Sequence, residues 1–284
     1  MSEVADVTVV MPALNRAHLI ERSLSSIAAQ RVRPAEVIVV DDGSSDGTAA
    51  VAKAAGATVI ELPESGGSGP ARNRGIEAAG TEWIAFLDSD DEWESGHLAG
   101  LLARAEGRVL VTAPGRSDSG RIMGNPWRRE LELDPLKLLT PGDVICTSGT
   151  VVRRRTLVEA GLFRPLRRAQ DLDLWLRVLE HGSGLALAVP SVLYHEHAGQ
   201  ASKDRDLMRQ CFDWIVDDCS ARGWLTQKHR DQAYSRVHWD DLRTAQRAKD
   251  VRAVAGYVGW FARRPHALPP LVRLLRQRRL SRAG

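Results

Sequence analysis

Cysteine is scarce in this chain. Cys146, Cys211 and Cys219 are the only three in 284 residues, too few and too scattered for a disulfide framework or a zinc site. Cys211 and Cys219 fall in one expected helix, about 12 Å apart along its axis, which is too far to bridge. A reducing, cytoplasmic setting is therefore expected. Long apolar runs are also missing. The best stretch, residues 253–262, is interrupted by Gly256 and Gly259 and falls well short of the roughly 20 residues that span a bilayer. The N-terminal Met1-Ser2-Glu3-Val4-Ala5-Asp6 carries acids where a secretory signal needs basic residues. No GxxxxGK[ST] or GxGxxG follows an expected strand, which excludes the P-loop and dinucleotide-binding classes.

What is present is ordinary for a protein with a real core: 43% apolar and 26% charged residues. The length allows one large domain, or a domain with an appendage. Net charge is +3, but residues 263–284 hold seven arginines and no acids, so the remainder stands at −4. That tail, with Leu271, Val272, Leu274, Leu275 and Leu280 between its charges, suits either an anionic lipid surface or a solvated helix end.

The most informative stretches are two apolar runs that end in clustered carboxylates. Val37-Ile38-Val39-Val40 runs into Asp41-Asp42-Gly43-Ser44-Ser45-Asp46-Gly47-Thr48, and Trp83-Ile84-Ala85-Phe86-Leu87 runs into Asp88-Ser89-Asp90-Asp91. Short β-branched runs read as buried strands, and open α/β sheets bind ligands where such strands end. Crowded aspartates repel one another unless they are solvated, hydrogen-bonded or bound to a cation. This predicts a pocket for a phosphate-bearing substrate carried with a divalent metal.

Strands are expected over residues 7–11, 37–40, 59–62 and 83–87. The helices between them end near Gln30, at the Gly56 stop, and at Gly80. Ser45 or Asp46 is the expected cap of the second helix. Strands spaced this way require parallel pairing with right-handed crossovers. The fold class expected is therefore α/β, a doubly wound, mostly parallel, Rossmann-like sheet. Further on, the pattern predicts a helix over 98–106, strands over 109–112, 144–152 and 186–193, and helices over 155–160 and 172–181. Residues 115–141, rich in Gly, Pro and Arg, read as a long loop in which Trp127 could cover the site. Residues 204–284 read as a helical accessory region that packs on the sheet domain or mediates a homodimer. The expected domains are 1–203 and 204–284.

Five motifs occur in order: Pro12-Ala13-Leu14-Asn15, the Asp41-Asp42-Gly43-Ser44 strand end, Ala71-Arg72-Asn73-Arg74-Gly75, Asp88-Ser89-Asp90-Asp91, and Gln170-Asp171-Leu172-Asp173-Leu174-Trp175. Together, over residues 5–200, they resemble the inverting family 2 glycosyltransferases of the GT-A fold. The resemblance implies transfer of a sugar from a UDP- or dTDP-sugar to an acceptor hydroxyl. That acceptor would be a glycan, a lipid-linked glycan, a peptide or a small molecule, and no nucleic-acid partner is expected. It implies that Asp42 accepts the ring N–H of the base, flanked by backbone at Pro12 and Ala13, with Asn15, Arg72, Asp88 and Ser89 completing the donor site. Asp42 could instead be a turn residue.

Residues two apart at a strand end point to one side, so Asp88 and Asp90 can converge on Mn²⁺ or Mg²⁺, hard cations that share their shell with substrate phosphates. By resemblance Asp90 is the direct ligand and Asp88 faces ribose and metal. Asp91 reads as the N-cap of a following turn. Arg72 could contact phosphates or pair with Asp88, Asn73 has no evident role, and Arg74 reads as a surface residue. Asp171 matches the family's general base, although Gln170 stands where glutamate is common; Asp171 also suits a helix start. His197, two residues after His195, could reach the metal or diphosphate, against the commoner structural use of a histidine. Rival readings are a sugar-nucleotide nucleotidylyltransferase, which lacks its basic glycine-rich signature here, and an inactive or regulatory nucleotide-binding module. A place on the inner membrane face is the expectation attached to the arginine tail.

Overall fold

In the computed structural model the acidic motifs lie at one end of an eight-stranded sheet. The structure describes residues 4–125, 129–139, 144–195 and 205–268. The first half alternates strand and helix: β1 (Val4–Ala13), α1 (Ile20–Ala28), β2 (Arg33–Asp41), α2 (Thr48–Ala54), β3 (Thr58–Glu61), α3 (Ser68–Ala78) and β4 (Trp83–Phe86). Then follow β5 (Glu92–Trp93), α4 (His97–Leu102), β6 (Leu110–Thr112), β7 (Gly115–Ser117), β8 (Ile122–Met123), β9 (Leu131–Leu133) and α5 (Pro135–Leu139). The remainder is β10 (Thr150–Arg153), α6 (Arg154–Glu159), α7 (Gln170–Val178), β11 (Gly184–Ala186), β12 (Val192–Tyr194), α8 (Arg205–Ala221), α9 (Gln227–Arg247) and α10 (Val251–Ala262).

The large sheet runs in the order β3-β2-β1-β4-β10-β6-β11-β9. Its first four strands are mutually parallel, β10 is antiparallel to β4 and β6, and β9 is antiparallel to β11. Val7, Val9, Val10 and Met11 of β1 are all fully buried, because helices cover both faces of a parallel sheet and leave no polar side to alternate. One face carries Ile20, Leu24 and Ile27, the helical stripe of α1, with Trp93, Leu98 and Leu101. The other carries Phe86, Phe163 and Trp175, with ring centroids 5.8–6.1 Å apart. Helix α3 lies so close to β1 that a Cβ on Gly75 would stand 2.5 Å from Val10 Cγ1.

A second, four-stranded sheet runs β5-β12-β7-β8. The expected loop over 115–141 thus contains three short strands and α5. Two expected strands are corrected. Residues 144–152 form a strand only from Thr150, after a 3₁₀ turn at Thr147–Gly149. Residues 186–193 split at Pro190, where a proline cannot donate to a ladder, into β11 in one sheet and β12 in the other.

By its internal contacts the chain divides into two compact units. One comprises residues 1–134 and 143–203, the other 135–142 and 204–284. The second unit is helical. Thr226 accepts a hydrogen bond from the His229 amide and caps α9, and Asp250 accepts one from the Ala253 amide and caps α10. Its interior includes Ile215, Val216, Leu242 and Phe261. No described helix is long and apolar enough to cross a membrane. Of the arginine tail, residues 269–284 lie outside the described residues, as do Trp127 and His197.

Candidate active site

Strand β2 ends at Asp41, and the two adjacent aspartates have separate tasks. The Asp41 carboxylate accepts the Ser44 amide at 2.9 Å and closes the turn. Asp42 donates its own amide to the Ala13 carbonyl at 2.8 Å, so Pro12 and Ala13 lie beside Val40 and Asp41 at the sheet end. The Asp42 carboxylate is 3% exposed and accepts Ser65 Oγ at 2.7 Å and the Gly66 and Gly67 amides at 2.9 Å each. A carboxylate has about four lone-pair sites, so this loop fills most of the capacity expected for a base.

Asn15 has a left-handed backbone with φ 53° and ties the first loop to the second. Its amide donates to Ser44 Oγ at 2.9 Å, and its Oδ1 accepts the Ser45 amide at 3.0 Å. The residue that prepares α2 is Asp46. It accepts the Thr48 amide and the Thr48 hydroxyl, which hold its carboxyl below the usual carboxylate range, while Gly47 itself takes the cap position.

Past β4, Asp88 pairs with Arg72 at 2.5 Å. Arg72 is buried, and its guanidinium stacks over Phe163, with Cζ 5.5 Å from the ring centroid. Asn73 has a clear role the sequence did not reveal: its amide group donates to the Phe163 carbonyl and accepts the Phe163 amide, both at 2.9 Å. That reciprocal clip seats the ring under Arg72. Arg74, by contrast, pairs with Glu77 on the exposed face of α3. Ser89 is buried in the turn, and Asp90 is half-buried with Arg16 Nε 3.6 Å from its carboxylate.

Asp91 is not an N-cap. It is 2% exposed and accepts the Ser148 hydroxyl at 2.5 Å, and β5 follows it directly. Burial, with the charges of Asp88 and Asp90 nearby, pushes its carboxyl well above the usual range. The same charges, after burial, push the Tyr194 phenol up to about 12. Burial is the larger cause of both shifts, and the neighbouring carboxylates at the end of β4 add to it. Hard oxygens and negative potential fit a divalent cation. No group of three or more His, Cys, Asp or Glu converges on one point among the described residues, so Asp88 and Asp90 would hold such an ion together with substrate oxygens.

The helix start at residue 170 comes to the same place. Gln170 Nε2 donates to Ser68 Oγ at 2.7 Å, one turn before Arg72 on α3. A side chain at Gly69 would collide with the Gln170 amide. Asp171 follows an Ala169 in left-handed conformation (φ 54°), accepts its neighbour Leu172's amide at 2.9 Å, and accepts Thr147 Oγ1 at 3.3 Å. Ser148 accepts the Asp88 amide at 3.2 Å. Asp88, Arg72, α3, Gln170, Asp171, Thr147 and Ser148 therefore close a ring. Asp173 lies outside it, in a buried ion pair with Arg177 at 2.6 Å that fixes the loop from α6 to α7. Of the two histidines, His195 is described: it bridges Glu92 at 2.8 Å and Asp118 at 3.0 Å. Nothing in the sequence marks Thr147, Ser148 or His195 for these roles, because each is recognised only by its neighbours in space.

The family model for glycosyl transferase family 2 matches residues 8–162, more than half of the chain. The chain belongs to glycosyl transferase family 2. It is similar to the succinoglycan biosynthesis protein ExoO of Rhizobium meliloti, 39% identical over 145 residues that make up 49% of this chain and 42% of ExoO. The chain thus spans less than half the length of that relative. It is also similar to the Escherichia coli UDP-Glc:alpha-D-GlcNAc-diphosphoundecaprenol beta-1,3-glucosyltransferase WfgD, 29% identical over 72% of this chain and 83% of WfgD. Two solved structures share the fold of this family 2 member. One is S. aureus TarS 1–349 in complex with UDP-GlcNAc, with a TM-score of 0.69, 19% identity, and coverage of 95% of this chain and 81% of that one. The other is the mannosyltransferase PcManGT of Pyrobaculum calidifontis in complex with GDP-Man and Mn²⁺, with a TM-score of 0.53, 20% identity, and coverage of 95% and 87%. The expected α/β architecture, a large and mostly parallel sheet with a helical C-terminal part, is the one observed.

Proposed function

We propose that this glycosyltransferase transfers a sugar from a UDP- or dTDP-sugar to an acceptor hydroxyl with inversion, using Asp171 as general base. The observation that carries this reading is the ring that joins Asp88 of the acidic strand end, through Arg72 and Ser148, to Asp171. In the proposed reaction Asp171 takes the acceptor proton as the acceptor oxygen attacks the anomeric carbon. The bond to the diphosphate breaks on the opposite face, and its electron pair leaves with the nucleotide. Arg72, held by Asp88 and Phe163, presents its guanidinium to the phosphates. Pro12, Ala13, Asn15, Asp42 and Ser89 form the floor for the nucleoside. A divalent cation at Asp88 and Asp90 would supply Lewis-acid neutralisation of the leaving diphosphate. PcManGT, solved with GDP-Man and Mn²⁺, supports that part of the reading.

The donor class draws support from the UDP-Glc in the name of WfgD and the UDP-GlcNAc bound to TarS. A diphosphoundecaprenol-linked glycan is the acceptor that WfgD suggests. On this reading residues 1–203 carry catalysis and 204–284 form an accessory region. The basic tail would bring the enzyme to the cytoplasmic face of a membrane where such acceptors reside. The direct test is nucleotide release from UDP-glucose, UDP-GlcNAc and dTDP-glucose with Mn²⁺, with and without a GlcNAc-diphosphate polyprenol. Acceptor-stimulated release with a β-linked product is expected. Release with retention at the anomeric carbon would contradict the inverting mechanism.

A further inference from the structure

The turn at Thr147 and Ser148 lies between the acidic loop and Asp171 and is hydrogen-bonded to both. The 3₁₀ turn Thr147–Gly149 is clamped on all sides. Trp93 Nε1 donates to the Ser148 carbonyl at 2.6 Å, the Ala113 amide donates to the Gly149 carbonyl at 2.8 Å, and the Gly149 amide donates to the Cys146 carbonyl at 2.9 Å. A side chain at Gly149 would run into the Ala113 carbonyl oxygen, so the turn sits against the end of β6 at the closest approach a backbone allows.

From this fixed turn two adjacent hydroxyls point to two different carboxylate groups. Thr147 Oγ1 donates to Asp171 Oδ2 at 3.3 Å while the Leu172 amide donates to Oδ1 at 2.9 Å. Each Asp171 oxygen thus has one donor, which fixes the plane of the carboxylate and leaves lone pairs for a proton. Ser148 Oγ donates to the buried Asp91 at 2.5 Å and accepts the Asp88 amide at 3.2 Å. It therefore holds the backbone of the acidic loop from below.

We propose that Thr147 and Ser148 are positioning residues that set the general base at a fixed distance from the donor loop, Thr147 orienting Asp171 and Ser148 seating Asp88. The inference rests on the function proposed above. A base displaced by about 1 Å costs on the order of a hundredfold in rate. Hydroxyls on consecutive residues of one clamped turn cannot drift relative to each other by that much. The two residues should therefore leave different kinetic signatures despite being neighbours.

The test uses the full chain, Mn²⁺ and UDP-glucose, with UDP release to water as turnover and calorimetric UDP binding as an independent readout. Thr147→Val keeps shape and removes the donor. It should lower kcat by about tenfold to a hundredfold while leaving UDP affinity and donor KM unchanged, the pattern of a group that acts in the transition state. Thr147→Ser should restore most of the loss. In an Asp171→Asn background Thr147→Val should have no further effect, since the two act as one unit. Ser148→Ala should instead raise donor KM and weaken UDP binding. Full turnover in Thr147→Val would overturn the proposal, as would a loss that Thr147→Ser does not rescue. Wild-type protein that binds neither UDP nor dTDP would bring down the function itself, a different outcome from a normal wild type with an indifferent Thr147→Val.

Discussion

Arg72 and Asp88 meet at 2.5 Å across the end of the sheet, with Arg72 buried and Asp88 half-exposed. The ion pair holds the buried guanidinium against the half-exposed carboxylate at the sheet end. The flat Phe163 ring, clipped by Asn73, supports it from behind. Arg72→Lys keeps the charge but loses the planar fork and the stacking. We expect UDP affinity to fall about tenfold, roughly the 1.4 kcal/mol of one lost charge-assisted hydrogen bond, with little change in melting temperature. Calorimetry and thermal melting on the same preparation check this.

Asp90 and Asp171 should separate binding from turnover. Asp90→Ala removes the half-buried carboxylate beside Arg16 and should abolish the Mn²⁺ dependence of nucleotide binding. Asp171→Asn should leave donor affinity nearly unchanged and reduce kcat by at least about a hundredfold, because a base contributes in the transition state. Loss of donor binding in Asp171→Asn would transfer that residue to the donor site.

Gly75 tests the fold. A methyl at this position would stand 2.5 Å from Val10 Cγ1 and force α3 away from β1. Overpacking of this kind costs about 1–3 kcal/mol, which Gly75→Ala should show as a lower urea midpoint with an unchanged slope. Because α3 carries Ser68 and Arg72, donor affinity should fall as well.

The acid limb of stability has a fully buried source in His97. His97 is fully buried, stacked on Trp93 with centroids 4.5 Å apart, and its Nδ1 lies 2.7 Å from Ser191 Oγ. Burial holds its pKa at about 3, against 6.5 when unfolded. Below pH 6.5 the unfolded chain binds a proton that the folded chain refuses. Stability contributed by the neutral ring is therefore complete above 6.5 and is lost as pH falls toward 3, by up to about 1.4 kcal/mol per pH unit. His97→Phe should flatten that limb in denaturation curves collected between pH 7 and pH 4.

The parallel half of the sheet was legible from residues 7–87, where buried strands read as unbroken apolar runs and the glycine at 56 ends its helix with φ 85°. Legibility failed where strands are short and their partners distant in sequence. Residues 144–152 read as a strand, but the Ala113 amide donates to the Gly149 carbonyl and residues 147–149 form a 3₁₀ turn. Pro190 divides what read as one strand between two sheets. The carboxylates of the strand ends were evident, whereas their division of labour was not. Asp91 looks like a cap in sequence and is a buried group under the loop, because the Ser148 that receives it is 57 residues away.

The central claim is that the acidic strand ends receive a nucleotide diphosphate, and calorimetric titration with UDP, dTDP, GDP and ADP, each with and without Mn²⁺, tests it most directly. The account predicts Mn²⁺-dependent binding of UDP or dTDP, lost in Asp90→Ala and retained in Asp171→Asn. No binding of any of the four nucleotides under either condition would contradict it.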